Sequence, residues 1–131
     1  MIVTQTQNLA GAQMQEIDAQ VAVMQRWLKP MVRPQRGALP LQAQEDLRVL
    51  REGALRFIAQ WTHLKPALST LSDGEARRYH RHELKNTLNT VSGFAYLLLR
   101  DYSGRFEPEQ FMAVQSVHSA SKRLIELVSI L

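Results

Sequence analysis

Arg81-His82-Glu83-Leu84-Lys85-Asn86-Thr87-Leu88-Asn89-Thr90-Val91-Ser92-Gly93-Phe94 is the stretch that the rest of the chain must accommodate. Wound as an α-helix at about 100° per residue, it places Leu84, Leu88, Val91, Ala95 and Leu98 in one narrow stripe. His82, Asn86, Asn89 and Gly93 then form a second stripe almost opposite. A histidine that only packs belongs with the leucines; this one is predicted to face water. An exposed imidazole, a carboxylate beside it (Glu83) and an amide one turn on (Asn86) are the makings of a histidine that does chemistry.

The same periodicity organises the chain on either side. Residues 1–8 are polar and without pattern, and are expected to fray. From about 9 to 29, Met14, Ile17, Val21, Met24 and Leu28 recur at alternating threes and fours, the mark of a helical seam. Pro30, Pro34, Gly37 and Pro40 exclude helix and predict a linker. A second seam, Leu47, Leu50, Ala54, Phe57, Trp61 and Leu64, predicts a helix over about 41–65, with Leu68 and Leu71 extending the pattern past a break at Lys65-Pro66. Trp61 is expected in the core, Trp27 just off its seam. Ser72-Asp73-Gly74-Glu75 has capping-box spacing and opens a third helix over about 73–101. Its seam starts only at Leu84, because Arg77 and Arg81 occupy the earlier seam positions. After the turn Tyr102-Ser103-Gly104-Arg105, Glu107-Pro108 starts a fourth helix over about 108–131. Phe111, Val114, Val117, Ser121, Leu124, Val128 and Leu131 line its inner side. The fold class is therefore all-α: one helical hairpin over 1–71 and a second over 72–131, whose four helices could close into one four-helix bundle per chain.

His82-Glu83-Leu84-Lys85-Asn86-Thr87-Leu88, followed by Gly93-Phe94 and an apolar run to Leu99, resembles the H-box of the dimerisation and histidine-phosphotransfer domain of two-component sensor histidine kinases. Thr87 stands where that box usually carries proline, so the kink proline gives this helix is expected to be reduced. Arg123-Leu124-Ile125-Glu126-Leu127-Val128-Ser129-Ile130-Leu131 is similar to the domain's second helix, and the likeness spans roughly residues 76–131. It instead implies that the third and fourth helices pair with a symmetry mate, so that the four-helix bundle forms through homodimerisation, with the first hairpin as an extra one upstream. His82 is then the phosphoacceptor, passing its phosphoryl group to an aspartate of a response-regulator receiver domain docked over the Tyr96 and Leu97 side. Glu83 fixes the imidazole tautomer as general base, Lys85 helps to neutralise phosphoryl oxygens, and Asn86 orients a water for dephosphorylation.

Composition narrows the alternatives. A chain of 131 residues holds one core rather than a large enzyme. Without cysteine there is no disulfide framework and no thiolate site, which suits a reducing compartment. Phe94–Leu99, the longest apolar run, is too short for a membrane segment, and no signal peptide is read, so a cytoplasmic protein is expected. The net charge of +4 raises the question of nucleic acid, but no such partner is expected, because no RNA-binding aromatic pair or zinc-finger spacing accompanies it. Arg77, Arg78, Arg81 and Lys85 nonetheless gather around His82, either as a solvated face or as an attraction for phosphate or an acidic partner. His80 points away from His82, so no metal site is expected there; His63 and His118 read as packing or surface residues. No Asn-rich box, Asp-x-Gly-x-Gly or P-loop is present. The chain is expected to hold no cofactor, with ATP and Mg engaged only by a kinase domain beyond Leu131 or on another chain. The sequence is thus expected to be the N-terminal piece of a longer protein. Two other readings stand beside this one: a non-catalytic dimerisation bundle that feeds another output domain, and a monomeric histidine-phosphotransfer bundle.

Overall fold

Each seam becomes the inner face of a helix. The computed structural model describes residues 2–32, 37, 39–70 and 74–131, with side chains from residue 11 onward except at position 69. Its helices are α1 (Ile2–Met31), α2 (Leu41–Leu64), α3 (Gly74–Tyr102) and α4 (Pro108–Ser129); a 3-10 segment, Lys65–Thr70, follows α2 and another, Ser103–Arg105, follows α3. No strand occurs among the described residues.

Two boundaries differ from expectation. Helix α1 starts at Ile2 rather than near residue 9; before Gly11 its sequence holds neither glycine nor proline, so nothing local stops the helix from propagating toward the N-terminus. Pro30 lies inside the last turn of α1, and the helix ends one residue later, at Met31. There proline removes the amide bond to the residue 26 carbonyl. The predicted break at Lys65-Pro66 appears as the switch from α- to 3-10 helix after Leu64. Pro108 takes the first position of α4, where a proline has no amide bond to lose. Ser72, the expected cap of α3, and Leu71 lie outside the described residues.

The helices pack in the cyclic order α1–α4–α3–α2, with extensive contact along each of those three neighbouring pairs and a sparser seam between α1 and α2. Gln110 Nε2 donates to the Met31 carbonyl (2.8 Å) and Arg123 to Glu16 (2.8 Å from Nε), so α1 and α4 run antiparallel. Ile17, Met24, Met31, Leu50, Phe57, Trp61, Leu84, Leu88, Val91, Leu98, Val114 and Leu124 are among the largest members of one shared core. The four helices of a single chain thus close the bundle. The seams of α3 and α4, expected to meet a symmetry mate, are covered by α2 and α1 of the same chain.

Two contacts set how the helices meet. A Cβ on Gly53 would come within 3.0 Å of Val91 Cγ2, so glycine lets α2 approach the buried face of α3 at that level. Across the sparse seam, the Asp18 carboxylate accepts from Trp61 Nε1 (2.8 Å) and Lys65 Nζ (2.5 Å). Burial opposes its ionisation, but those hydrogen bonds and the Lys65 charge outweigh it and hold the Asp18 carboxyl below the usual carboxylate range.

Gly53→Leu is expected to cost about 1–3 kcal/mol through overpacking, and Val91→Ala in the same chain to recover part of that loss. Unfolding of the single and double variants by denaturant measures the coupling. Asp18 titrates lower in the folded state than its unfolded value of about 4, so its stabilisation is complete above that pH and is lost as pH falls through the lowered folded value. Between about pH 5 and pH 2 the wild type should therefore lose more stability than Asp18→Asn. The difference should be about 1 kcal/mol or less, because the pair is partly open to solvent and screened. Urea midpoints at each pH compare the two.

Candidate functional site

Helix α3 is the longest helix whose side chains are all described, and its inward and outward faces are cleanly divided. Leu84, Leu88, Val91, Ala95 and Leu98 are at most 1% exposed. His82, Glu83, Asn86, Asn89 and Gly93 are exposed, and Lys85 is half-buried. The stripe beginning at His82 therefore lies on the outer surface of the bundle, as the periodicity predicts.

The side chains bracketing His82 are arranged by helical geometry alone. Asn86 shares its face one turn toward the C-terminus, and Lys85 stands three residues on. Glu83, as the next residue, diverges by about 100° toward the flank that continues to Thr87 and Thr90. That flank faces α2, since the Thr90 methyl is the second neighbour of the Gly53 position. No hydrogen bond joins His82 to Glu83 or to Asn86, and among the described residues the imidazole has no polar partner. Both ring nitrogens are open to an incoming group. No group of metal-ligating side chains occurs among the described residues.

Thr87, at the H-box proline position, is buried, and its hydroxyl donates to the Glu83 carbonyl at 3.3 Å. Thr90 repeats the pattern on Asn86 at 3.3 Å. Both keep the helix intact through the site, and α3 runs without a break from Gly74 to Tyr102.

Beyond the histidine stripe, α3 and α4 build a small aromatic cluster. The Tyr96 ring lies 6.5 Å from that of His118, and the Arg100 guanidinium sits 5.7 Å from the Tyr96 centroid while pairing with Asp101. Burial, and then the nearby Lys122 charge, hold His118 below the ordinary histidine range. His118 is half-buried beside Tyr96. Tyr96 is exposed and Leu97 half-buried; His63 is exposed and His80 stacks edge-on against Tyr79 at 5.4 Å. Trp61 is in the core and Trp27 half-buried, with Arg26 5.8 Å from its ring. The Asp18 cluster and the Tyr96–His118 contact were not read from the sequence. Each joins residues of different helices, and no spacing within one helix announces it.

Comparison with protein-family models, curated proteins and solved structures finds no match to this chain. No helix among the described residues is long and apolar enough to cross a membrane.

Thr87→Pro is expected to cost about 3 kcal/mol or more, since it deletes one amide bond and drives the ring against the Glu83 carbonyl. Thr87→Val should stay within about 1 kcal/mol, losing only a long hydroxyl bond to a carbonyl already served by the helix. Thermal melts of the two variants separate the backbone effect from the side-chain effect.

Proposed function

We propose that this chain is a phosphoacceptor module of the two-component or phosphorelay kind, in which His82 accepts a phosphoryl group and passes it to an aspartate of a receiver domain. The observation that carries the reading is the outward placement of His82 at the head of a polar stripe, on a helix whose opposite face is locked into the core. A fixed helix and an unobstructed imidazole let two reactants meet without reorganising the acceptor.

The chemistry follows from the neighbours. An imidazole nitrogen attacks phosphorus, the bond to the donor's leaving group breaks, and the proton released from the ring departs with that group. Glu83 can accept a hydrogen bond from the N–H of the ring's other nitrogen after turning from its flank toward His82, fixing the tautomer and offsetting developing positive charge until that proton leaves. Lys85 offsets charge on the phosphoryl oxygens, and Asn86 is placed to orient a water for the reverse loss of phosphate. ATP and Mg would be engaged by a separate kinase domain rather than by the described residues.

Closure of the bundle within one chain favours the monomeric phosphotransfer version of this reading. A homodimer would instead be built from outer faces. Incubated with phosphoramidate, the wild-type chain is expected to gain one acid-labile, base-stable phosphate, and His82→Gln none. Phosphate retained by His82→Gln, or none on either protein, would refute the assignment. A solution mass corresponding to one chain is expected at micromolar concentration.

A further inference from the structure

Several guanidinium and ammonium groups whose geometry is described are answered locally. Arg48 pairs with Glu45 and Glu52, Lys65 with Asp18, Arg100 with Asp101, and Arg123 with Glu16 and Glu126. Arg77 donates to the Leu68 carbonyl at 2.9 Å, and Arg26 lies over Trp27. Lys29, Arg51, Arg56 and Lys122 also have no carboxylate partner among the described residues, but no three of them share one flank of a helix. Arg78, Arg81 and Lys85 differ: among the described residues none has a carboxylate partner, and their spacing of three and four puts all three on one flank of α3. Like charges at that spacing repel by a few tenths of a kcal/mol per pair in a helix. Arg78 is exposed and Arg81 half-buried, so no core contact compels a cation at position 78.

The flank runs alongside His82. Arg78 is four residues before it, so their Cβ atoms are about 5–6 Å apart on neighbouring lines of the helix, and Lys85 is three residues after it. A group bound to an imidazole nitrogen therefore lies between a guanidinium on one side and an ammonium on the other. The guanidinium fork matches two oxygens of a phosphoryl group, which a lone ammonium cannot do.

We infer that Arg78 and Arg81, with Lys85, form an oxyanion-receiving edge that holds the phosphoryl group of an anionic donor against His82, with Arg78 as the positioning residue. The inference rests on His82 being the phosphoacceptor. It assigns to that site a preference for compact, anionic phosphoryl donors.

Phosphoramidate is the probe, with phosphate on His82 followed in time by ³¹P NMR on the full chain. Transfer forms a bond from phosphorus to the imidazole nitrogen and breaks the donor's own P–N bond; ammonia leaves with the proton that the ring gives up. Arg78→Ala should lower the second-order rate constant by about three- to ten-fold, the range of one screened charge-assisted hydrogen bond, and Arg78→Lys should recover part of it. Added salt should slow the wild type and affect Arg78→Ala and Arg81→Ala less. A wild-type rate indifferent to salt, or an unchanged rate in both alanine variants with His82 still labelled, would overturn the edge while leaving the phosphoacceptor assignment standing. A wild type that takes no phosphate at His82 removes both. Unchanged circular-dichroism melts of the variants exclude a loss of fold as the cause.

Discussion

Everything at the site depends on which way α3 is turned, and that is fixed by burial of Leu84, Leu88, Val91, Ala95 and Leu98. A fully buried leucine or valine contributes about 1.5–3 kcal/mol relative to exposure. A rotation of α3 by one residue, about 100°, would bring several of these into water at once and carry Lys85, Asn89 or Ser92 inward. No polar contact of the outer stripe approaches that penalty. His82 is thus held outward by residues that never touch it, and the site inherits its rigidity from the core.

The bundle is not equally tight all round. Helix α3 is gripped on both sides, by α2 through the close approach at Gly53 and by α4 along its length. Helix α1 lies firmly along α4 but meets α2 along a sparser seam. There Asp18 ties α1 to Trp61 and Lys65, replacing apolar area with two hydrogen bonds to one carboxylate. A charge-assisted clamp of this kind stabilises less than a packed seam, because it is partly solvated. Any loosening of the bundle should therefore begin between α1 and α2, a sparsely packed pair that does not include the helix carrying His82.

The helices were legible because their seams repeat at threes and fours over many residues, and the outward turn of His82 followed from the same count. What escaped the sequence was governed by tertiary contact. The prolines around residues 30–40 argued for a stop at Pro30, yet one more residue of helix costs little once the amide bond is already lost at the last turn. The seams said that α3 and α4 need covering but not by what; α1 and α2 supply the cover, and a periodic pattern cannot distinguish the same chain from a mate. Asp18 reads as one more polar residue until Trp61 and Lys65 are brought to it. Arg78 was visible as part of a basic run, but its spacing from His82 gained meaning only once it, Arg81 and Lys85 proved to lack a carboxylate partner among the described residues.

Thr87 shows how such a site can keep its geometry without the proline that the resemblance would lead one to expect. A proline there removes the amide bond to residue 83 and pushes that carbonyl aside, bending the helix beside the histidine. Threonine keeps the amide and adds its own hydroxyl to the same carbonyl, at 3.3 Å. Helix α3 runs without a break through this turn, so His82, Glu83 and Asn86 keep their helical places. In a regular turn the only groups able to share the face of His82 are those three and four residues away. On the proposed reading, the groups placed to act on this histidine are those at positions 78, 79, 85 and 86, not a distorted backbone.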